Sequence, residues 1–189
     1  SGKTTLAKLL TGLLDPSKGQ ILAGGIDLQQ IAPDWWRQQI MYLPQEPYFM
    51  NGSIRENFNA FNPDLTAQEI RKLLVDVGLE SLADESPGGL DQPVGKAGTN
   101  FSLGVRRRLA LARALSHDGP LAILDEPTEG IDAIGASYVY RIMNDMVRNG
   151  KTIIACSHDR EIIRGAHLFL DLDERPRPII KDISKNDVP

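Results

Sequence analysis

Apolar residues recur along the chain with two different spacings, and each spacing predicts a different kind of element. Leucines at intervals of three and four residues predict a helix over residues 4–13. The same spacing predicts helices after a capping pattern at Thr66, over residues 102–115 and over residues 134–148. Short apolar runs without that spacing predict strands, namely residues 40–43, 121–124, 152–156 and 167–172.

The order of these elements indicates the fold class. Strands alternate with helices near both ends of the chain, which is typical of an α/β fold with a parallel sheet. Gly24-Gly25, between two short apolar stretches, predicts a β-hairpin over residues 20–28. The stretch between the two ends is mostly helical. We therefore predict a core of residues 1–45 and 116–189, with residues 46–115 inserted as a helical subdomain.

Composition narrows the class of protein. Of 189 residues, 41% are hydrophobic and 24% are charged, which is the balance of an ordinary globular domain. The formal net charge of -4 gives no overall field that would recruit nucleic acid. No apolar run approaches the roughly 20 residues that a membrane helix needs. The single Cys156 excludes an internal disulfide and fits a reducing compartment.

The first chemical motif, Ser1-Gly2-Lys3-Thr4-Thr5, opens the first predicted helix. It matches the second half of the phosphate-binding loop, in which backbone N–H groups at a helix start surround phosphates. Lys3 would contact the β- and γ-phosphates of ATP, and the Thr4 hydroxyl would bind Mg²⁺. By itself this short motif suits an ordinary helix start equally well.

A second motif lies where a buried strand ends in two carboxylates. Residues 121–124 are all apolar, and Asp125 and Glu126 follow directly. In P-loop enzymes an aspartate in this place holds Mg²⁺. Glu126, one residue further, could act as general base toward a water molecule in line with the γ-phosphate. A strand followed by a charged turn is common, but downstream of the first motif it favours a nucleoside triphosphatase.

A third motif makes the interpretation specific. Residues 98–115, Gly-Thr-Asn-Phe-Ser-Leu-Gly-Val-Arg-Arg-Arg-Leu-Ala-Leu-Ala-Arg-Ala-Leu, resemble the signature segment of ATP-binding cassette (ABC) proteins. The usual pattern there is Leu-Ser-Gly-Gly-Gln, followed by a basic helix that ends Leu-Ala-Arg-Ala-Leu. Gln45 matches the family's Q-loop, Asp132 its D-loop aspartate and His158 its switch histidine. With these motifs in family order, the chain is identified as a member of this family.

The resemblance implies a P-loop NTPase core of the RecA-like type, with a small antiparallel β piece and a helical signature subdomain. It places the N-terminal strands and the first half of the phosphate loop before Ser1. It also implies that two such domains pair head to tail around two ATP molecules. The residues that bind ATP would be Ser1, Gly2, Lys3, Thr4 and Thr5, the Mg²⁺ ligands Thr4, Gln45 and Asp125, and the catalytic residues Glu126, His158 and Gln45. The signature residues facing the partner's ATP would be Ser102, Leu103, Gly104 and Val105.

Residues 52–57, Gly-Ser-Ile-Arg-Glu-Asn, resemble the exporter branch of the family. In exporters this domain usually follows a membrane domain on the same polypeptide. The resemblance therefore implies an ATPase at the cytoplasmic face of a membrane, with a second nucleotide-binding domain and a transmembrane domain as partners and without nucleic acid. Two alternatives stay open, a soluble ABC ATPase without a membrane domain and a regulatory cassette that does not hydrolyse ATP. The presence of Glu126 and His158 argues against the second.

The signature departs from the family pattern at several positions. Leu103 and Val105 replace the first glycine and the glutamine, and Phe101 replaces the leucine. A side chain at position 103 threatens the close approach of backbone to phosphate that a glycine allows. The D-loop reads Glu-Gly-Ile-Asp over residues 129–132 instead of Ser-Ala-Leu-Asp. The chain belongs either to an asymmetric pair with one weakened site or to a homodimeric subgroup that tolerates these residues.

Three further expectations complete the sequence-based picture. Arg106, Arg107 and Arg108 are expected to form an exposed basic helix face and not a nucleic-acid contact. At least one of Trp35 and Trp36 is expected to pack on the core. Because half of the phosphate loop would precede Ser1, we expect these 189 residues alone to bind and hydrolyse ATP poorly.

Overall fold

The computed structural model describes residues 2–84, 88–173 and 178–182, and these form eight α-helices, three short 3-10 helices and nine strands. The helices are α1 (Lys3–Leu10), α2 (Pro33–Gln38), α3 (Ile54–Asn59), α4 (Ala67–Asp76), α5 (Glu80–Asp84), α6 (Leu103–Leu115), α7 (Ala133–Arg148) and α8 (Arg160–Arg164). The strands are β1 (Leu22–Ala23), β2 (Ile26–Asp27), β3 (Ile40–Leu43), β4 (Gly52–Ser53), β5 (Pro93–Val94), β6 (Leu121–Asp125), β7 (Thr152–Cys156), β8 (Leu168–Asp171) and β9 (Ile179–Asp182).

A parallel sheet in the order β3-β6-β7 lies at the centre of the fold. Its register pairs Tyr42 with Ile123 and Ile123 with Ile154. The middle strand is covered on both faces, which explains its unbroken apolar run. Ala122 and Leu124 face the larger hydrophobic cluster, which includes the helical middle of the chain, whereas Ile123 faces a smaller cluster that includes α1. The boundaries proposed for the helical subdomain remain a prediction.

Three two-stranded antiparallel sheets accompany the central sheet, and the predicted hairpin is one of them. Leu22 pairs with Asp27 and Ala23 with Ile26, so that Gly24-Gly25 forms the turn as expected. The other two pairs are β4 with β5 and β8 with β9. No helix within the described residues is long and apolar enough to span a bilayer.

The helix ends follow the capping chemistry in the sequence. Thr66 and Glu69 form the predicted capping box at the start of α4, and Ser53 forms a second one at the start of α3. The first helix is shorter than predicted. It ends at Leu10, whereas the leucine spacing predicted a helix to residue 13. Gly12, with φ +70°, adopts the left-handed conformation that commonly closes a helix.

The two tryptophans differ in their surroundings, as expected. Trp36 packs against the smaller cluster, and its indole N–H donates to the Leu10 carbonyl at the end of α1 over 3.1 Å. Trp35 is 54% exposed. The hydrogen bond therefore ties α2 to the far end of the helix that begins at Lys3.

A buried arginine fixes the segment that follows Gln45. The Arg113 guanidinium lies between the rings of Phe49 and Phe61, at 4.6 and 4.4 Å from their centroids. It donates to the Tyr48 carbonyl over 2.8 Å, and burial lowers the Arg113 pKa to about 10. The C-terminal part of α6 thus holds the stretch between the central sheet and α3.

Candidate functional site

The carboxyl ends of the three parallel strands bring the predicted site residues together. Gln45 follows β3 by two residues, Asp125 ends β6, and His158 follows β7 by two residues. The start of α1 lies at the same edge, because α1 packs on β6 and β7. In open α/β sheets this is where ligands bind. We call Lys3, Gln45, Asp125, Glu126 and His158 the carboxyl edge.

The first turn of α1 presents backbone N–H groups to this edge. Gly2 precedes the helix with φ +82°, a conformation that glycine adopts without steric cost. In the described chain no side chain caps this helix start, and its first turn carries no acidic residue. Free N–H groups and the helix dipole together favour an anion at this position. Ser1, one of the predicted ATP-binding residues, lies outside the described residues.

Lys3, Glu126 and His158 converge although they are far apart in the sequence. The Lys3 ammonium lies 2.9 Å from Glu126 Oε1 and also contacts His158 Nε2. The His158 backbone N–H donates to Glu126 Oε2 over 3.3 Å. Lys3 and Glu126 are largely buried, with side-chain exposures of 18% and 11%. The predicted phosphate-binding cation, general base and switch histidine therefore share one small space.

The backbone at Glu126 is strained in a way that suits a functional residue. Its φ of +49° lies in the left-handed region, which non-glycine residues rarely occupy. Its N–H donates to the Cys156 carbonyl over 2.8 Å, which extends the β6–β7 pairing past Asp125. Such strain is concentrated at active sites, where the surrounding structure holds it in place.

Asp125 carries a buried carboxylate without a good hydrogen-bond partner. The residue is 1% exposed, and neither carboxylate oxygen has a well-formed hydrogen bond within the described ranges. Burial raises the pKa of this carboxyl and the neighbouring Glu126 adds to the rise, whereas the nearby Thr4 hydroxyl and the Lys3 ammonium oppose it. An orphaned carboxylate of this kind requires a bound cation or water to offset its burial.

The residues beside Asp125 fit a magnesium ion. The Thr4 hydroxyl donates to Gln45 Oε1 over 3.2 Å, so hydroxyl, amide and carboxylate oxygens are available together. Mg²⁺ prefers such oxygen ligands and relies on substrate phosphates and water for the rest of its shell. Among the described residues there is no group of three or more His, Cys, Asp or Glu side chains that could hold a metal ion.

Glu129 lies next to the carboxyl edge, although the sequence analysis assigned it no role. Gln45 Nε2 donates to Glu129 Oε2 over 3.1 Å, and Arg107 Nη2 lies 3.2 Å from the same oxygen. Arg107 also donates to the Glu129 backbone carbonyl. The only signal in the sequence was that the D-loop departs from its family pattern at this position.

The predicted exposed basic face of α6 is wrong, since Arg106, Arg107 and Arg108 are all partly buried. Arg108 donates to the Gly78 carbonyl just beyond α4 over 2.8 Å, and the Arg106 stem packs on the loop at Gly98. Two properties of arginine explain why these side chains are partly buried. The guanidinium can donate to free carbonyls at the end of a helix, and the aliphatic part of the side chain packs on other segments. The arginines bind other segments of the same chain.

Asp159 is a second residue that sequence reasoning missed. It accepts hydrogen bonds from the Thr128 hydroxyl over 2.8 Å and from the Tyr140 hydroxyl over 2.6 Å. Burial acts to raise its pKa, but these bonds outweigh it and hold the Asp159 pKa below the usual value. Asp159 also caps α8 through the Glu161 N–H. It therefore ties the segment after Glu126 to the loop that carries His158.

The signature residues Ser102, Leu103, Gly104 and Val105 are not brought into the carboxyl edge of their own chain. Ser102 caps α6 by accepting from the Val105 N–H over 3.3 Å, and Leu103 is 45% exposed. Among the described residues, no hydrogen bond joins this segment to Lys3, Glu126 or His158. Ser102 and Leu103 are exposed at the start of this helix, whereas Val105 is partly buried against the larger cluster.

The departures in the signature and in the D-loop fit each other. A Cβ added at Gly130 would lie 2.8 Å from Leu103 Cδ2, so the exposed Leu103 side chain would have to shift to make room for it. The stronger reason for glycine is the backbone, because Gly130 has φ +65°. Asp132 caps α7 through the Gly135 N–H over 2.7 Å, which fixes the other end of the D-loop.

A family model described as "ABC transporter" matches residues 1–129. The chain belongs to the ABC transporter family. An ATP-dependent lipid A-core flippase of Neisseria meningitidis serogroup A is 35% identical over 174 residues, which cover 92% of this chain and 28% of the flippase. The glutathione/L-cysteine transport system ATP-binding/permease protein CydC of Escherichia coli is 37% identical over 157 residues, covering 83% of this chain and 27% of that protein.

Among solved structures, a bacterial Atm1-family ABC exporter with ATP bound matches this ABC domain with a TM-score of 0.83. The sequence identity is 27%, and the match covers 91% of this chain and 30% of the exporter chain. The predicted family, its exporter-like branch and the α/β P-loop fold class are therefore confirmed. The chain corresponds to under a third of the length of each of these relatives.

Proposed function

We propose that this chain is the ATP-hydrolysing domain of an ABC exporter, which pairs with a second such domain around two ATP molecules and drives transport through a membrane domain. The observation that carries the proposal is the convergence of Lys3, Glu126 and His158 beside the orphaned carboxylate of Asp125. Two of the relatives are named as a flippase and as a permease, and these names support the assignment to transport. The domain then lies at the cytoplasmic face of the membrane.

In the proposed reaction a water oxygen attacks the γ-phosphorus of ATP as the bond to the β,γ-bridging oxygen breaks. ADP and phosphate form, and the water proton passes to the Glu126 carboxylate and then to solvent. Lys3 neutralises phosphate charge, and His158 hydrogen-bonds the γ-phosphate and the attacking water. Thr4, Gln45 and Asp125 would hold Mg²⁺, which when bound would neutralise further charge on the β- and γ-phosphates.

The contact between Lys3 and Glu126 gives this site a defined resting state. At 2.9 Å the ammonium neutralises the carboxylate that is to act as base. A γ-phosphate competes for the same ammonium, and its arrival releases Glu126 to accept a proton. Binding of ATP itself therefore prepares the general base.

The proposal is tested by the ATPase rate of the full-length protein in lipid vesicles, with and without the Lys3→Ala substitution. We expect hydrolysis by the unmodified protein and a loss of about 100-fold or more in the variant, as for other groups that stabilise charge in the transition state. Lys8→Ala is the matched control, because Lys8 is an exposed lysine on the same helix. Equal ATPase rates in the Lys3 and Lys8 variants would contradict the proposed site. If the full-length protein hydrolyses ATP but has no membrane-spanning segments, the soluble ATPase is the better assignment.

A further inference from the structure

We propose that Glu129 is a positioning residue that orients the side-chain amide of Gln45 toward the metal site. This inference rests on the proposed function, because it concerns how the same site holds its metal and nucleotide. It is carried by the two contacts of Gln45, one to Glu129 Oε2 at 3.1 Å and one from the Thr4 hydroxyl at 3.2 Å.

The two ends of the Gln45 amide are chemically different, and Glu129 distinguishes them. A carboxylate only accepts hydrogen bonds, so it attracts the NH₂ end of the amide and repels the carbonyl end. With the NH₂ group held by Glu129, the carbonyl oxygen lies on the side of Thr4. A carbonyl oxygen is a ligand that Mg²⁺ accepts, whereas an amide NH₂ group is not. A flip of the amide would place the wrong group at the metal site.

Glu129 can orient Gln45 because Arg107 holds Glu129 in turn. Arg107 Nη2 lies 3.2 Å from Glu129 Oε2, and another of its nitrogens bonds the Glu129 backbone carbonyl. The Arg107 side chain is only 12% exposed, while that of Glu129 is 49% exposed. The Gln45 amide and the Arg107 guanidinium both donate to Glu129 Oε2, so this oxygen is held between the two donors.

Arg107, which holds Glu129 in place, lies on α6, the helix that begins with the signature residues. Arg107 lies one turn after Leu103 on α6, so the path runs from α6 through Glu129 to Gln45 and Thr4. Outer partners of this kind commonly fix the orientation of metal ligands. A serine, the family's usual residue at this position, is too short to make both contacts.

The test measures binding and not turnover. In the full-length protein, the dissociation constant of ADP is measured by calorimetry with Mg²⁺ and with EDTA, and the ratio gives the gain in affinity due to Mg²⁺. Glu129→Ala is expected to reduce this gain about tenfold, the lower end of what loss of an outer ligand partner costs. ADP affinity in EDTA is expected to stay unchanged. Glu129→Gln, which keeps an acceptor oxygen, is expected to retain more of the gain.

A double-mutant cycle separates positioning from a merely structural role. If Glu129 acts through Gln45, then Glu129→Ala lowers the gain due to Mg²⁺ in the unmodified protein but not in the Gln45→Ala background. Equal losses in both backgrounds, or no loss in either, overturn the inference. Should Glu129→Ala fold poorly, Glu129→Ser carries the same expectation. Asp118→Ala is the control, since it removes an exposed carboxylate paired with Lys151 at the opposite end of the sheet.

Failure of this inference is distinguishable from failure of the proposed function. Full-length protein that shows a gain in ADP affinity with Mg²⁺ but responds to no Glu129 variant keeps the nucleotide site and loses only the role of Glu129. Full-length protein that binds no nucleotide at all removes both.

Discussion

The carboxyl edge and the signature segment differ in where their side chains find partners. Lys3, Glu126 and His158 are held by one another, and Gln45 is held by Thr4 and Glu129. At the start of α6, Ser102 caps its own helix and Leu103 is exposed, whereas Val105 packs on the larger core cluster. The carboxyl edge therefore takes its shape from contacts within one chain, whereas Ser102 and Leu103 are exposed where the proposed second domain would bind.

The largest expected effect concerns the carboxyl edge. Glu126→Gln keeps the shape of the side chain and removes the base, so we expect the ATPase rate of the full-length protein to fall about 10²- to 10⁴-fold. Nucleotide binding should persist, which a filter-binding or fluorescence titration can check. Asp118→Asn, the same chemical change in an exposed ion pair with Lys151, is the control. A Glu126→Gln variant with the rate of this control would remove the proposed base.

The next effect tests the contact between signature and D-loop. Gly130→Ala introduces a Cβ next to Leu103 at a residue with φ +65°. We expect a loss of about 1–2 kcal/mol in the free energy of unfolding, mostly from backbone strain and in smaller part from displacement of the exposed Leu103 side chain. In the Leu103→Gly background only the backbone strain remains, so thermal denaturation should show a smaller loss. Equal losses in the two backgrounds would mean that Leu103 does not constrain the D-loop.

A smaller effect is expected at the signature itself. Leu103→Gly restores the family's glycine at this position, and in the proposed pair it would permit close approach of the backbone to the partner domain's γ-phosphate. We expect the ATPase rate of the full assembly to rise about threefold, equivalent to about 0.6 kcal/mol in the barrier. The comparison is with Val105→Gln, which restores another of the departed positions but leaves Leu103 in place. An unchanged rate in Leu103→Gly would indicate a subgroup that tolerates leucine here.

The smallest effect is a pH dependence of stability. Because the Asp159 pKa is lower in the folded protein than its usual 3.8, its ionised form stabilises the fold above that value. This contribution is lost as the pH falls through the folded-state pKa. We expect Asp159→Asn to flatten the stability curve below about pH 4 in urea denaturation series. A curve for Asp159→Asn that stays parallel to that of the unmodified protein over this range would contradict the prediction.

A structural feature can be predicted from the sequence when the residues that produce it are close together along the chain. The phosphate loop, the buried strand and its two carboxylates are short motifs, so their place at the edge of a parallel sheet follows from the fold class. Glu129 could not be predicted in this way, because its partner Gln45 lies 84 residues earlier and meets it only in the folded chain.

Arg107 shows a second limit of prediction from the sequence. Three consecutive arginines in a polar stretch predict a solvated face, and composition does not reveal which backbone carbonyls lie within their reach. The Glu129 carbonyl and the Gly78 carbonyl come from loops that α6 contacts only after folding. The cap of α4 was predicted correctly by comparison, since Thr66 and Glu69 interact within one turn.

The bond between Trp36 and the end of α1 gives the protein an optical reporter. Only two tryptophans are present, and Trp35, being more than half exposed, emits as a solvated indole. Trp36 touches the helix whose first turn is proposed to receive phosphate, so a shift of that helix would alter its emission. In a Trp35→Phe background, nucleotide arrival could then be timed by intrinsic fluorescence without any attached dye.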